Sequence, residues 1–248
     1  MIKKSRDSRA LITLKDSKSP ISEAYRTLRT NIQFSNIDKD LKTIIFTSAI
    51  PQEGKSSTVA NLAVSMAQAG KKVVLIDCDL RKPTLHERFK ISNIYGLTNV
   101  LVGEKGIYQV IQFPEEIENL SMITSGPIPP NPAELLDSRK METILDELKE
   151  KVDIILIDTP PIGIVTDAAV LSTKVDGVIL VVGYKQAEIE MVQSAQSLLN
   201  KVGANIIGTV LTQIDINDRS YSKYGSYGYY GEIQKQADNR KKKRAGRG

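Results

Sequence analysis

The apolar run Thr43-Ile44-Ile45-Phe46-Thr47 leads into Pro51-Gln52-Glu53-Gly54-Lys55-Ser56-Ser57, and a helical pattern follows towards Gln68. Strand, tight glycine loop and helix in that order leave few folds open. A loop there aims several backbone N–H groups and the positive end of a helix dipole at one point, which suits a polyphosphate. Lys55 would reach the β- and γ-phosphates, and the Ser56 hydroxyl would take a place on Mg²⁺. Gln52, Glu53, Gly54, Lys55, Ser56 and Ser57 then form the nucleotide cradle. The pattern G-x-x-x-x-G-K-[ST] is met except at its first position, where Ala49 stands. The competing reading is a Gly-Lys-Ser helix start that binds nothing.

Two further runs sharpen the first. Val73-Val74-Leu75-Ile76 ends in Asp77-Cys78-Asp79-Leu80-Arg81, and Ile154-Ile155-Leu156-Ile157 ends in Asp158-Thr159-Pro160-Pro161. Continuous apolar runs of this length read as buried parallel strands. Ligands of open α/β sheets sit beyond the carboxyl ends of the strands, so Asp77, Asp79 and Asp158 should emerge beside the phosphate loop. Carboxylates there can hold Mg²⁺ directly or through water, or accept a proton from a nucleophile. A lone Asp at such a place is more simply a helix cap or turn residue.

The rest of the chain agrees with a three-layer α/β fold of P-loop NTPase type, a mostly parallel central sheet flanked by helices. Strands are predicted near 43–48, 73–77, 120–124, 153–158, 176–182 and 205–212. Helices are predicted over 20–35, 55–69, a broken stretch at 84–112, then 132–150, 167–173 and 187–202. In the first, Ser22 is the expected N-cap, with Ile21, Tyr25, Leu28 and Ile32 on one face. In the fourth, Asn131 is the expected cap, with Met141, Ile144, Leu145 and Leu148 at helical spacing. This gives an unstructured basic segment at 1–19, an ATP-binding domain at 20–216 and a flexible tail at 217–248.

Charge is unevenly placed over the 248 residues, which net +5. Residues 1–19 net +4 and residues 217–248 net +6, so the globule between them nets −5. Basic ends can contact anionic lipid, or simply keep a segment solvated. The acidic globule and the lack of a recognisable binding module argue against nucleic acid. No apolar run approaches the ~18 residues of a membrane span, and no signal-peptide pattern opens the chain. The single cysteine, Cys78, fits the cytoplasm and reads as a packing residue.

After Ile216 the composition changes. Tyr221, Tyr224, Tyr227, Tyr229 and Tyr230 fall within ten residues, five of the nine tyrosines in the chain. Interleaved Gly and Ser prevent these rings from forming a regular core, so the phenols should stay accessible. Beside an ATP site, such a segment reads as a phosphoryl acceptor. A sticky low-complexity tail or a base-stacking surface is the simpler alternative.

Taken together, the motifs resemble the bacterial tyrosine kinases that regulate capsular and extracellular polysaccharide synthesis and export. The closer likeness is to the cytoplasmic form activated by a separate membrane protein. The resemblance spans nearly all of 20–231 and includes Ser125-Gly-Pro-Ile-Pro-Pro-Asn-Pro-Ala-Glu-Leu-Leu136. It implies ATP and Mg²⁺ as cofactors, Lys55 on the phosphates, and Asp77, Asp79 and Asp158 as the acidic set. Asp77 is assigned as base for a tyrosyl hydroxyl, with Ser56, Asp79 and Asp158 at the metal. It implies autophosphorylation of Tyr221, Tyr224, Tyr227, Tyr229 and Tyr230. Glu23-x-x-Arg26-x-x-Arg29 matches the family's ring-forming motif, so a homo-oligomeric ring is expected. Intrahelical Glu–Arg contacts are the alternative for that motif. A membrane-anchored activator, protein substrates and a tyrosine phosphatase are the implied partners, which would place the kinase at the inner face of the membrane.

Two other functions compete. A partitioning or septum-positioning ATPase would share the core, but its signature lysine early in the phosphate loop is Ile50 here, and no amphipathic helix closes the chain. A nucleotide-gated scaffold without catalysis is the other. A eukaryote-type kinase is excluded, because neither H-R-D nor D-F-G occurs and the only histidine is His86.

Overall fold

The computed structural model of the chain describes residues 11–35 and 41–214. Its strands are β1 (Thr43–Ser48), β2 (Val73–Asp77), β3 (Ile111–Gln112), β4 (Leu120–Ile123), β5 (Ile154–Asp158), β6 (Gly177–Gly183) and β7 (Ile206–Thr212). Its helices are α1 (Ile12–Lys15), α2 (Pro20–Phe34), α3 (Lys55–Ala67), α4 (Leu85–Phe89), α5 (Leu97–Leu101), α6 (Pro132–Asp137), α7 (Arg139–Lys149), α8 (Asp167–Ser172) and α9 (Ile189–Lys201). One sheet runs β3-β4-β2-β5-β1-β6-β7. All pairings are parallel except β3 with β4 at the edge.

Successive residues of a strand face opposite sides, and here both sides are covered. Ile44, Phe46, Val73, Leu75 and Leu156 pack under α2, α3 and α4. Ile45, Val74, Ile76, Ile155 and Ile157 pack under α5 to α9. The central strands are therefore mostly apolar, with polar residues only at or next to their ends, and β1, β2 and β5 are buried at every position.

Local departures from the sequence reading have identifiable causes. The cap of α2 is Ser19, whose hydroxyl accepts from the Ser22 N–H at 3.1 Å, while Ser22 turns inward and donates to Asp16 O. Tyr25, Leu28 and Ile32 do face the core, but Ile21 is 38% exposed. The expected helix over 132–150 is two helices. Ser138 leaves the helical region at φ −64°, ψ 152°, and its Oγ accepts from the Met141 N–H, so it caps α7. Asn131 holds the cap position of α6, but its side chain donates to Glu134. Met141, Ile144, Leu145 and Leu148 are all buried, as the spacing requires.

Residues 11–19, read from the sequence as unstructured, carry α1. A four-residue helix cannot sustain itself, and its N-cap, Leu11, has no side-chain acceptor. The acceptor comes from α3: Asn61 Oδ1 takes both the Thr13 N–H (3.1 Å) and the Thr13 hydroxyl (3.0 Å). Asn61 Nδ2 in turn donates to Ser57 O at 2.8 Å. Asn61→Leu strands the buried Thr13 donors, a loss of about 2 kcal/mol. Thermal melting should show a Tm lower by roughly 4–8 °C. An unchanged Tm would mean that Asn61 does not hold α1.

Candidate functional site

The loop between β1 and α3 is shaped by its own backbone. Gly54 caps α3 at φ +87°, a conformation that disfavours any side chain, and a Cβ there would press on Thr212 Oγ1 at 3.3 Å. Gln52 also has positive φ, at 66°. Lys55, the first residue of α3, is only 7% exposed.

Glu53 is wholly buried, and its carboxylate turns away from the loop mouth. It accepts from the Ile50 N–H and from the Gly183 N–H at the end of β6, each at 2.9 Å. Its carbonyl accepts from the Thr212 hydroxyl at the end of β7, at 2.6 Å. An acid beside phosphates would repel them, so only this inward orientation suits a phosphate loop. The sequence reading placed Glu53 in the cradle without this clamp. The Thr212 hydroxyl is thereby committed to Glu53.

Asp77 and Asp158 end neighbouring parallel strands and are register partners. Both are buried, Asp77 at 0% and Asp158 at 1% exposure. The Asp77 carboxylate organises the segment that follows it. Its Oδ1 accepts from the Asp79 N–H at 3.2 Å, and its Oδ2 from Thr84 N (3.2 Å) and Leu85 N (3.1 Å). Burial, and then the charge of Asp158, push its pKa well above the usual carboxylate range. Asp79 is partly exposed and accepts from Lys82 N at 2.9 Å. Burial raises its pKa too, opposed by the Lys82 N–H and the Lys55 charge. Cys78, between them, is fully covered, and burial holds it as a neutral thiol.

Asp158 differs from its neighbour. Both its oxygens are buried without a hydrogen-bond partner. Burial pushes its pKa up to about 6, against the opposing Lys55 charge and the nearby Ser56 hydroxyl. A buried carboxylate left without donors is unfavourable unless something supplies positive charge. Among the described residues no group of three or more His, Cys, Asp or Glu side chains closes around one point. Mg²⁺ does not require such a cage, because it is held by one or two carboxylates together with waters and substrate phosphates. The donor set therefore fits a metal that arrives with a nucleotide.

The Lys55 charge thus acts on both Asp79 and Asp158, Ser56 lies beside Asp158, and Asp77 is the register partner of Asp158. Glu23 and Arg26 pair within α2, Arg26 also reaches Ser17 O, and Arg29 donates to Ser65 O on α3 at 2.7 Å. The five tail tyrosines lie outside the described residues. Among the described residues no helix is long and apolar enough to cross a membrane. Asp167 was missed from sequence: it receives both Arg81 Nε and Nη2 at 2.9 Å.

Residues 41–212 match the family model described as AAA domain. Tyrosine-protein kinase YwqD of Bacillus subtilis (strain 168) is 45% identical over 227 residues, spanning 92% of this chain and 93% of its own length. The chain belongs to the bacterial tyrosine kinases. The chimerical protein CapA2B2 has the same fold at a TM-score of 0.79 and 41% identity, over 82% of this chain and 89% of that one. The septum site-determining protein MinD of Pyrococcus horikoshii OT3, solved with Mg-ADP, is more distant. Its TM-score is 0.59 at 27% identity, over 68% of this chain and 69% of its own. MinD therefore shares the core fold of this tyrosine kinase, and the kinase relatives match it over more of its length.

Proposed function

We propose that this tyrosine kinase uses ATP and Mg²⁺ to phosphorylate its own C-terminal cluster, Tyr221, Tyr224, Tyr227, Tyr229 and Tyr230, between copies of the chain. The observation that carries the reading is the buried, unpartnered Asp158 carboxylate beside Lys55 at the mouth of the phosphate loop. The phenol oxygen bonds to the γ-phosphorus as the bond from that phosphorus to the β–γ bridging oxygen breaks. ADP leaves with the electron pair, and the phenolic proton passes to Asp77. Mg²⁺, when bound, neutralises developing charge on the phosphates.

The protein's part is alignment. Backbone N–H groups of 52–57 and the N-terminus of α3 seat the phosphates, and Lys55 adds a point charge. Ser56, Asp79 and Asp158 would hold the metal, directly or through water. Asp77 is a stronger base than a solvated carboxylate, because burial disfavours its charge. It is also wholly covered, so a phenol reaches it only as the 78–84 segment shifts.

The same reading extends to a ring of copies built through Glu23, Arg26 and Arg29. It further includes a membrane-anchored activator, a tyrosine phosphatase, protein substrates and control of capsular or extracellular polysaccharide. The test is incubation with ATP and Mg²⁺, with and without candidate activator segments, followed by a phosphotyrosine blot. Replacing all five tail tyrosines by Phe should remove most of the signal. A protein that binds Mg·ADP yet never gains phosphotyrosine would be a nucleotide switch instead.

A further inference from the structure

Arg81 and Asp167 are not used by the reading above, yet they form the most completely built ion pair near the site. Two parallel N–H···O bonds of 2.9 Å join the guanidinium fork to both carboxylate oxygens. The Asp167 side chain is 0% exposed and that of Arg81 40%. Such a fork fixes orientation as well as distance, which a lysine ammonium does not do.

Its position gives it meaning. Within the segment from Asp77 to Leu85, Asp77 accepts from the N–H groups of Asp79, Thr84 and Leu85 and Asp79 accepts from Lys82 N, while the Cys78 N–H donates to Asp158 O at 2.8 Å. Cys78 and Leu80 also pack, fully buried, in the core that contains Ala168 and Leu171 of α8. Arg81, two residues beyond Asp79, adds a charged, oriented tie to that layer, because Asp167 opens α8. The β2-to-α4 turn is thus anchored next to the strand end that carries Asp158.

We propose that Asp167 and Arg81 are a positioning pair that holds the Asp79 carboxylate in register with Lys55 and Asp158, and so sets how well the site takes Mg²⁺ with a nucleotide. The inference rests on the assignment of Asp79 to the metal–nucleotide. Its test is binding, which requires no phosphoryl transfer.

The probe is mant-ADP, whose fluorescence is followed as Mg²⁺ is added to the full chain. Arg81→Met should raise the Mg²⁺ midpoint about tenfold, as loss of a supporting partner does at metal sites. Mant-ADP binding without Mg²⁺ should change less than about twofold, since the phosphate loop is untouched. Arg81→Met also leaves a buried charge unpaired and should lower Tm. The double variant Arg81→Met with Asp167→Asn removes that charge. It should recover Tm while the Mg²⁺ midpoint stays raised, and it carries the test if the single variant does not fold. A wild-type midpoint in Arg81→Met, or a double variant in which Tm and midpoint recover together, would make the pair purely structural and overturn the proposal. Wild-type protein that binds Mg·mant-ADP but gains no phosphotyrosine with activator segments present sinks the tail-autophosphorylation reading alone. Protein that takes up no mant-ADP overturns both.

Discussion

The Lys55→Met protein is expected to carry no detectable phosphotyrosine while remaining folded. Lys55 starts α3 with its side chain almost covered, at 7% exposure. Its charge opposes the upward pKa shifts of both Asp158 and Asp79. Methionine keeps most of the stem's volume and removes that charge from two partners. The phosphates lose a cation placed where transition-state charge develops, worth at least about a hundred- to thousandfold in rate. The two acids also lose their countercharge and bind protons more readily, which further weakens any metal. Backbone N–H groups remain, so nucleotide binding should weaken by less than transfer does. Initial rates with labelled ATP, alongside circular dichroism, make the comparison. Transfer above about a tenth of the wild-type rate in a folded variant would remove Lys55 from the chemistry.

What was legible in the chain follows from how each feature is stabilised. β1 and β2 were readable to the residue because both faces are buried and each run is apolar except at or next to its ends. The acids at 77, 79 and 158 were readable as a group because parallel neighbours bring their carboxyl ends to one edge. Features that depend on distant partners were not. Helix α1 exists because Asn61, 48 residues away, supplies its acceptor. The inward turn of Glu53 depends on Gly183, 130 residues on, and the Arg81 fork on Asp167, 86 residues on. The strand β3 is only two residues long and has no pattern of its own. The break at Ser138 is different: its local signal, a serine three residues before Met141, was present but outweighed by the helical periodicity on either side.

Replacing Asp158 by Asn should separate stability from function. In the folded protein its carboxyl has a pKa of about 6, against 3.8 for an unperturbed one. Below about pH 3 both folded and unfolded states are protonated, and the group adds no penalty. As pH rises, the unfolded chain gives up this proton first, so stability falls until the folded pKa is passed. Above about pH 7 the whole penalty is present, on the order of 2–3 kcal/mol. Asparagine has no such ionisation. The nucleotide-free variant should therefore melt above wild type by roughly 4–10 °C at pH 7.5, with the gap closing as the buffer approaches pH 3. Mg·ADP should reverse the order, because its cation adds to the Lys55 charge that the carboxylate faces, and the amide cannot use it. Phosphoryl transfer should fall about a hundredfold or more in the same variant. A variant less stable than wild type at pH 7.5, or a gap that does not narrow in acid, would show that the buried carboxylate is satisfied without a ligand. The unpartnered oxygens of Asp158 would then no longer argue for a metal-bound nucleotide.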